Sequence, residues 1–529
     1  MDDRQVPIVL MGDAAHTAHY SIGSGTKLAL EDAIELARCC AAHGADGMER
    51  VLPVYQELRS VEVLKIQSAA RNSMEWFENV DRYTGLEAEQ FAYSMLTRSQ
   101  RIPHENLRLR DARYVARYED FVAAHAFAQA GLPQPSAARP VPPMLTPFRA
   151  RGVVLRNRIV VSPMAQYSAR DGIPGDYHLV HLGARAMGGA AMVFAEMTCV
   201  SPDARITPGC PGLWNDAQRD AWRRIVDFVH AETDAKIAMQ LGHAAAKGST
   251  CVPWVGGGED RPLPDGNWPL VSASAQQYLP GISQTSRAAT RDDLARIKAD
   301  FVAAARRAAF AGFDWLELHC AHGYLLSSFI SPLTNRRDDE YGGDLADRCR
   351  YPLEVFAAIR DVWPEDKPVS VRISAHDWAD GGITPDDAVE IGRLFKAAGA
   401  DMMDCSSGQV VPDSRPVYGR MYQTPFADRI RNEAGIATIA VGAIFEADHA
   451  NSIIAAGRAD LCAIARPHLA NPAWTLCETA KLGYTDLEWP KQYRSAKAQL
   501  ERNLKREKEA ASANAGLTPQ QIAANLLGS

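Results

Sequence analysis

The hydrophobic positions of the chain change their pattern after residue 144. From residue 145 onward, short apolar runs alternate with stretches in which apolar residues recur every three or four positions. Short apolar runs predict buried strands, and the longer period predicts helices. The predicted strands are Ile159–Pro163, Ala191–Glu196, Lys236–Gln240, Trp315–Leu318, Pro368–Ile373, Met402–Cys405, Thr438–Val441 and Leu461–Ile464. The predicted helices between them include Asp216–Thr233, Thr290–Ala311, Arg348–Val362, Pro385–Ala398 and Ala447–Ala456.

Eight alternating strands and helices predict an α/β chain with a (β/α)8 TIM barrel. A doubly wound sheet would show fewer units, with a glycine fingerprint after its first strand. That fingerprint is absent from the sequence after residue 144. In a TIM barrel the active site is built at the carboxyl ends of the strands. The polar residues that follow the predicted strands are therefore expected to form one site.

Before residue 130 the pattern is mostly helical. The run Val6–Met11 resembles a strand, the glycine-rich loop Ser21–Thr26 follows, and residues 27–42 continue as an amphipathic helix. Asp13 lies directly after the strand-like run, where a carboxylate suits the hydroxyl groups of a nucleotide beside a glycine-rich loop. A plain strand–turn–helix with a solvated Asp13 is an equally open interpretation. Further helices are predicted at 51–80 and 113–130.

Proline spacing sets the predicted domain limits. Residues 131–143 carry five prolines and predict a semi-rigid linker. The expected organisation is a mostly helical part over 1–130, this linker, the barrel over 144–484, and a C-terminal helix and tail over 485–529. The helix of that last part is expected at 490–510, with Trp489 and Tyr493 as anchors at a subunit contact.

Composition narrows the classes of function. A net charge of −7 argues against nucleic-acid and anionic-membrane partners. The sequence has no apolar run long enough for a transmembrane helix and no basic leader segment, and its ten cysteines are scattered without a Cys-x-x-Cys pair. This pattern is typical of reduced thiols, so a cytoplasmic location is expected, without structural disulfides or an iron–sulfur cluster.

Three hydrogen-bond donors follow the strand at Trp315–Leu318: His319, His322 and Tyr324. Donors gathered at one strand end can receive a negative charge that develops on a substrate. A zinc site is the alternative for a His-x-x-His pair, but no third ligand stands at metal spacing, so no metal is predicted. Tyr324, like Tyr167 after the first strand, could instead be packing at the barrel rim.

The remaining strand ends suit a ligand that is large, has a polar edge and carries a phosphate. Arg372 and Gln240 suit the polar edge, although Arg372 could instead be an ion-pair partner of a neighbouring strand. The late strand ends at Gly442–Ala443 and Ala465–Arg466 suit a phosphate, as is common in this fold. FMN fits this description. A flavin-free aldolase or isomerase acting on a phosphorylated substrate remains an open alternative, as does a partner module without turnover.

Several motifs resemble the Old Yellow Enzyme family of NADH:flavin oxidoreductases, in order and at barrel spacing. They are Ser162-Pro-Met-Ala-Gln-Tyr-Ser168, Gln240-Leu-Gly-His243, His319-Cys-Ala-His-Gly-Tyr324, Ser331-Pro-Leu-Thr-Asn-Arg-Arg-Asp-Asp-Glu-Tyr-Gly-Gly343 and Gly457-Arg-Ala-Asp-Leu461. The resemblance implies FMN at the barrel mouth and NAD(P)H as the electron donor. The residues that it implies around FMN are Ser162, Pro163, Met164, Ala165, Met197, Gln240, Arg372, Ser407, Gly408, Gly442, Ala443, Ala465 and Arg466.

The same resemblance implies the catalytic roles. His319 and His322 would bind the substrate carbonyl oxygen, Tyr324 would give a proton to the α-carbon, and Tyr167 would be a second contact to the oxygen. Ala165 departs from the pattern, because a cysteine that tunes the flavin often stands at this position. The resemblance also implies a small-molecule substrate, such as an acyl-CoA or a cyclic enone, and a homodimer.

The N-terminal motifs resemble a different family. Gly12-Asp-Ala-Ala-His16 with Gly23-Ser-Gly-Thr-Lys-Leu-Ala-Leu-Glu-Asp32 is similar to the second FAD-binding motif of class A aromatic flavin monooxygenases. That resemblance implies that Asp13 contacts FAD, although the first dinucleotide motif of those enzymes is absent. The combination resembles bifunctional monooxygenase/reductases of aromatic acyl-CoA catabolism. Residues 247–287, which include Trp254, Trp268 and Tyr278, are expected to cover a CoA thioester.

Overall fold

The computed structural model describes residues 7–43, 47–135, 139–255 and 260–513. The chain forms two compact units that divide between Val115 and Ala116. Residues 256–259 of the region 247–287 lie outside the described residues, as do residues 136–138 of the proline-rich segment and residues 514–529 of the tail.

The N-terminal unit is helical in its described part. Two apolar clusters join its first two helices: Leu28 packs with Val63 and Ile66, and Cys39 packs with Val51 and Tyr55. These positions recur at helical spacing, which is why the predicted helices form. The α-helices of the unit are Gly25–His43, Met48–Glu78, Ala88–Thr97 and His104–Arg110, followed by the start of Ala112–Ala130. The prediction of helices in this region is confirmed.

The strand predicted at residues 6–11 is wrong for its described residues. Residues 7–11 have no regular secondary structure, and Gly12–Ala14 forms a 3-10 turn. The Ile8 side chain is 86% exposed. A strand is stabilised by a neighbouring strand, and the described part of this unit contains none. The apolar run therefore has no sheet to join.

The proline-rich segment has little regular structure in its described residues. Residues 131–135 and 139–142 form neither helix nor strand, and Pro143–Leu145 forms a 3-10 turn. The preceding helix, Ala112–Ala130, contains the division between the two units. The domain limits at 131 and 144 stay a prediction.

The second unit contains a closed barrel of eight parallel strands, as predicted. They are β1 (Ile159–Val161), β2 (Met192–Phe194), β3 (Lys236–Gly242), β4 (Trp315–Cys320), β5 (Val369–Ser374), β6 (Met402–Ser406), β7 (Ala437–Val441) and β8 (Leu461–Ile464). Each strand pairs with the next in sequence, β8 pairs with β1, and Thr198–Cys199 extends the edge of β3. The strands are almost wholly buried, which explains their continuous apolar runs.

The helices between the strands have the predicted positions within a few residues. They begin at strong capping residues: the side chains of Asn215, Thr290 and Thr384 each accept a hydrogen bond from a backbone N–H in the first turn. The larger helices of the barrel are Asp176–Met187, Asp216–Glu232, Arg291–Ala311, Leu345–Arg360, Pro385–Ala397, Ala447–Ala455 and Trp474–Leu482. The barrel is therefore surrounded by helices, as a (β/α)8 fold requires.

Three additions surround the barrel. An antiparallel hairpin, Phe148–Ala150 with Val153–Leu155, joins a core cluster that includes Trp315. In the region 247–287, Val271–Ser272 pairs with Arg287–Ala288. The C-terminal helix is Arg494–Ala513, close to its predicted limits. Among the described residues, no helix is long and apolar enough to cross a membrane.

Candidate functional site

Arg372 is central at the carboxyl ends of the strands, between His319 of β4 and Asp404 of β6. The parallel register aligns Arg372 with His319 on one side and with Asp404 on the other. Arg372 Nη1 donates a hydrogen bond to Asp404 Oδ2 over 2.6 Å and lies 3.5 Å from Ser162 Oγ. The ion-pair alternative for Arg372 is therefore observed. A guanidinium has five N–H donors, so this pair leaves donors for a ligand.

The predicted donors His319, His322 and Tyr324 lie together at the end of β4. The ring centroids of His319 and His322 are 5.2 Å apart, and those of His319 and Tyr324 are 5.0 Å apart. His322 has a left-handed backbone with φ 63°. This conformation is uncommon for a non-glycine residue and is often found at functional positions.

Hydrogen bonds fix the orientation of both imidazoles. The backbone N–H of Ala321 donates to His319 Nδ1 over 3.2 Å, so the proton of a neutral His319 is on Nε2. His322 Nε2 lies 2.8 Å from Ser406 Oγ, and its backbone N–H donates to Ser374 Oγ. Among the described residues, neither His319 Nε2 nor His322 Nδ1 has a hydrogen-bond partner. One ring nitrogen of each histidine is therefore open to a ligand.

Both histidines are neutral in the ordinary pH range. Burial lowers the pKa of His319 well below its usual value, and the charges of Arg372 and Lys247 lower it further. Burial, the neighbouring His319 and the same two cations lower the pKa of His322 in the same way. A neutral imidazole can still donate a hydrogen bond through its N–H group. Because it carries no charge, an apolar ligand can cover it without removing a charged group from water.

Lys247 is a site residue that the sequence interpretation did not assign. Its side chain is buried, and Nζ donates to the carbonyl oxygens of His322 and Gln409, at 3.3 Å each. The ammonium lies 4.3 Å from the ring centroid of Tyr278 and 5.5 Å from that of Tyr324. A buried cation beside Tyr324 stabilises the negative charge that forms when this tyrosine gives up a proton. Lys247 lies four residues after the Gln240–His243 motif, and nothing in the sequence around it indicates that its side chain is buried at the site.

A buried glutamate, which was also missed, positions Tyr167. Glu196 Oε2 accepts hydrogen bonds from the backbone N–H groups of Gln166, at 2.7 Å, and Tyr167, at 3.3 Å. Its other oxygen lies 3.2 Å from His178 Nε2. Tyr167 has a left-handed backbone, and its ring lies 6.2 Å from that of Trp254. The carboxylate therefore holds the loop after β1 in a single arrangement.

A second buried polar group lies inside the barrel beside Arg372. Gln240 Nε2 donates to Glu317 Oε1 over 2.9 Å, and Ser370 Oγ donates to Glu317 Oε2 over 2.8 Å. Burial raises the pKa of Glu317 to about 8, and the negative charge of Asp404 adds to the effect. The raised pKa favours the protonated form of Glu317 at neutral pH. The Gln240 carbonyl remains an acceptor for a ligand.

The loop after β1 lines the entrance. Pro163 and Met164 are half-buried and Ala165 is exposed, whereas Ser162 is buried. Met197 is buried, and a Cβ at Gly242 would lie 2.6 Å from its Cγ. The loop thus offers an apolar surface beside the polar groups of the other strand ends.

The predicted phosphate end has left-handed backbone positions, which are common where backbone N–H groups bind an anion, and the hydroxyl of its serine already has partners in the protein. Gly408, Gly442 and Ala443 have left-handed φ angles of 70°, 104° and 51°. Ser407 Oγ, however, donates to Gln423 Oε1 over 2.6 Å and accepts from the indole N–H of Trp378. Its hydroxyl is thus used within the protein, and the backbone of this loop remains for a ligand.

The last strand end contributes a cation. Ala465 precedes the short helix Arg466–Ala470, and Arg466 is exposed. The guanidinium can reach an anion from the solvent side. No group of three or more metal-ligating side chains occurs in the part of the chain that the structure describes, and the absence of a metal stays a prediction.

Asp13 belongs to the N-terminal unit. It lies in the Gly12–Ala14 turn with an exposed side chain, and a Cβ at Gly25 would lie 3.8 Å from its Oδ1. The glycine-rich loop is thus close to Asp13, as the motif predicts. The neighbouring motif residues Gly12 and His16 instead contact the buried Asp32.

Comparisons with known proteins agree with this geometry. Residues 143–484 match the family described as NADH:flavin oxidoreductase / NADH oxidase. An NADPH dehydrogenase of Listeria monocytogenes serotype 4a (strain HCC23) is 40% identical over 357 residues, which are 67% of this chain and 98% of that protein. The solved structure of a morphinone reductase is 28% identical, has a TM-score of 0.55, and is aligned over 65% of this chain and 90% of its own.

A 2-naphthoyl-CoA reductase in complex with 2-naphthoyl-CoA has a TM-score of 0.57, covering 65% of this chain and 53% of that chain. At 21% identity it shows the shared fold alone. The family match covers more than half of the chain, and it favours flavin chemistry over an aldolase or isomerase. The chain therefore belongs to the NADH:flavin oxidoreductase family, also called the Old Yellow Enzyme family, and is an oxidoreductase.

Proposed function

We propose that the chain is a cytoplasmic, FMN-dependent NAD(P)H ene-reductase that reduces the activated C=C bond of an unsaturated, aromatic-derived acyl-CoA. The observation that carries this proposal is the pair of neutral imidazoles, His319 and His322, each with one open ring nitrogen. Such donors match a carbonyl oxygen on which negative charge develops, and each is typically worth ~3–4 kcal/mol in the transition state.

The reaction balances as a two-electron reduction: NAD(P)H is oxidised and the C=C bond is reduced. FMN, when bound, supplies the hydride that reaches the β-carbon. His319 and His322 hold the carbonyl oxygen and stabilise its growing negative charge. Tyr324 gives its hydroxyl proton to the α-carbon and regains a proton from solvent, while the nearby ammonium of Lys247 stabilises the transient phenolate.

The residues at the strand ends fit FMN. Arg372 has donors beyond its bond to Asp404, and the side-chain carbonyl of Gln240 accepts no hydrogen bond from the described residues. Both features suit the mixed donor and acceptor edge of the pyrimidine ring. Pro163, Met164 and Ala165 offer an apolar surface for the ring system. The site suits a flat, partly apolar ligand with one polar edge.

The phosphate end of FMN would be held by backbone groups and one cation. Gly442 and Gly408 have left-handed backbones at the ends of β7 and β6, and Arg466 is exposed after β8. A Cβ at Gly442 would lie 2.4 Å from Gln423 Nε2, so glycine is the residue that fits this position of the loop. Loops after the last two strands are the common phosphate site of this fold.

Extraction and identification of the bound flavin tests the proposal most directly. The expected result is FMN in a stoichiometric amount, reduced by NADH or NADPH and reoxidised by an α,β-unsaturated carbonyl compound. A protein that binds no flavin after reconstitution, or whose reduced flavin is not reoxidised by such a compound, would contradict it. Comparison of NADH and NADPH identifies the donor.

The acyl-CoA substrate is supported by the position of Trp254, which belongs to the region 247–287. Trp254 is 67% exposed, yet its ring is 6.2 Å from that of Tyr167. An exposed aromatic ring beside the site can stack on the adenine of a CoA thioester. We expect Trp254→Ala to raise KM for an aryl-CoA substrate about tenfold and KM for a small cyclic enone less than twofold.

Phe310 provides the matched control, because it is 61% exposed on the outer helix Arg291–Ala311. Phe310→Ala should leave both KM values unchanged. Equal effects of Trp254→Ala on the two substrates would show that the loop does not recognise the CoA part.

The N-terminal unit is proposed to be the C-terminal part of an FAD-dependent monooxygenase module, in which Asp13 contacts FAD. The glycine-rich loop beside Asp13 supports this assignment. FAD in the extract would favour it, and FMN as the only flavin, even after incubation with FAD, would count against it. A homodimer is proposed from the C-terminal helix Arg494–Ala513, none of whose residues is buried. Sedimentation analysis of the full chain tests that assignment.

A further inference from the structure

The hydroxyl of Ser406 is the only side-chain group that contacts the imidazole of His322 by a hydrogen bond among the described residues. Ser406 is buried at the carboxyl end of β6, and its Oγ lies 2.8 Å from His322 Nε2. The role assigned to His322 above requires a proton on Nδ1, because Nδ1 is the ring nitrogen that is open to a ligand. The direction of the hydrogen bond to Ser406 therefore decides whether His322 can act.

The hydrogen-bond inventory of Ser406 settles this direction. Its Oγ has no other partner in the described part of the chain, and a buried hydroxyl hydrogen without an acceptor costs free energy. If His322 Nε2 carried the proton and donated it, the hydroxyl hydrogen would have no acceptor. If Ser406 donates to Nε2, the hydroxyl is satisfied and the proton of the neutral imidazole is on Nδ1.

The two histidines are thus fixed as opposite tautomers by two different donors. The backbone N–H of Ala321 places the proton of His319 on Nε2, and Ser406 places that of His322 on Nδ1. The backbone of His322 is held separately, since its N–H donates to Ser374 Oγ, which itself donates to the Gly408 carbonyl. Neighbouring strands β5 and β6 therefore hold the main chain and the ring of His322 independently.

We propose that Ser406 is a positioning residue for the reductase reaction, which sets the tautomer of His322 by donating to Nε2. The inference rests on the proposed function for its catalytic consequence. The tautomer itself is a property of the protein that does not depend on turnover. Ser406 differs from Ser407, whose hydroxyl is bound to Gln423 and Trp378.

The experiment uses the full-length, flavin-loaded protein labelled with 15N-histidine, with His322→Asn to assign the resonances. In the wild type, we expect His322 Nδ1 to show the shift of a protonated ring nitrogen and Nε2 that of an unprotonated one. In Ser406→Ala both resonances should move towards a mixture of tautomers. A protonated Nε2 in the wild type would overturn the proposal, whether or not Ser406→Ala folds.

Turnover supplies the second readout. Ser406→Ala should slow reoxidation of the reduced flavin by an enone about tenfold, the size expected for one lost hydrogen bond, while reduction by NAD(P)H changes less. Ser406→Thr keeps the hydroxyl and should restore both the spectrum and the rate. Loss of flavin from Ser406→Ala, or a rate loss without a tautomer change, would mean a structural role and would overturn the proposal.

The proposed function and the role of Ser406 can be contradicted separately. If no unsaturated carbonyl compound reoxidises the flavin of the wild type, the proposed function fails while the tautomer measurement still stands. If the wild type reduces enones but His322 is protonated on Nε2, the proposed function stands and the role of Ser406 falls.

Discussion

A buried polar cluster around His16 in the N-terminal unit and another around His319 and His322 in the barrel differ in what their hydrogen bonds leave open. In the N-terminal unit, His16 contacts Asp32 over 2.8 Å, and the same carboxylate accepts from the Gly12 N–H and from Arg59 Nε. Both oxygens of Asp32 are thus used. At the barrel mouth, His319 and His322 have no acidic hydrogen-bond partner among the residues that the structure describes, and one ring nitrogen of each is open.

The difference also appears in two buried carboxyl groups. Burial acts against the charge of Asp32, but hydrogen bonds from Gly12, Arg59 and His16 outweigh it and lower its pKa. Glu317 receives hydrogen bonds from neutral groups only, and burial together with the charge of Asp404 raises its pKa to about 8. A saturated, charged cluster stabilises its own unit, whereas open and neutral donors are what a ligand site needs.

Replacement of Asp32 should have the largest effect on stability, and this effect should be confined to the N-terminal unit. Asp32→Ala leaves the buried Arg59 without its main partner, which is expected to destabilise this unit by about 3 kcal/mol. Hydrogen exchange measured by mass spectrometry should show faster exchange in the helices Gly25–His43 and Met48–Glu78. Exchange in the barrel strands should stay unchanged.

Asp32→Asn provides the control, since it keeps the shape and one acceptor oxygen while removing the charge. It should destabilise the N-terminal unit less than Asp32→Ala does. NAD(P)H-dependent enone reduction is expected to remain in both variants. If Asp32→Ala did not change exchange in either helix, the cluster would not be structural, and the contrast with the barrel mouth would be wrong.

Replacement of His322 should show the opposite behaviour. His322→Ala removes one of two donors to the substrate oxygen, so reoxidation of the reduced flavin by an enone should slow about 100-fold. Stopped-flow measurement of the two half-reactions separates this effect from reduction by NAD(P)H. Bound flavin and the hydrogen exchange of the barrel should be retained. Loss of flavin instead would make the stretch from His319 to Tyr324 part of the cofactor site.

Sequence reasoning located the barrel well because its signals are local. All eight strands, β1–β8, were predicted from continuous apolar runs, and His319, His322 and Tyr324 were placed together because they follow one strand. The wrong strand at 6–11 shows the limit of this approach. An apolar run predicts burial, but whether it becomes a strand depends on a neighbour that the run itself does not specify.

The residues whose roles the sequence did not indicate act through distant partners. Lys247 is 75 residues from His322 in sequence, and Ser406 is 84 residues from it. Glu196 contacts the backbone of Tyr167 rather than a side chain. Contacts of this kind leave no spacing pattern in a single sequence. The motifs therefore identify the residues that face the ligand, and the structure adds those that orient them.

The smallest expected effect tests whether Glu317 is neutral in the barrel. Its pKa in the folded protein is raised to about 8, above the ~4.3 of an unfolded chain, so its contribution to stability is complete below that lower value and is lost as the pH rises towards 8. Glu317→Gln removes this titration and keeps an acceptor for Gln240. The variant should therefore gain about 2 kcal/mol in free energy of unfolding relative to the wild type between pH 6 and pH 8.

Urea unfolding of the barrel, followed at both pH values, measures this gain, and a variant with the same pH slope as the wild type would contradict it. That result would mean that Glu317 is ionised beside Arg372, as Asp32 is beside Arg59. The two clusters would then differ only in their open histidine nitrogens. A gain in the free energy of unfolding of Glu317→Gln would instead show that Glu317 is protonated in the folded barrel. The charge of Arg372 would then be balanced by Asp404 alone, and the remaining donors of Arg372 would face the ligand.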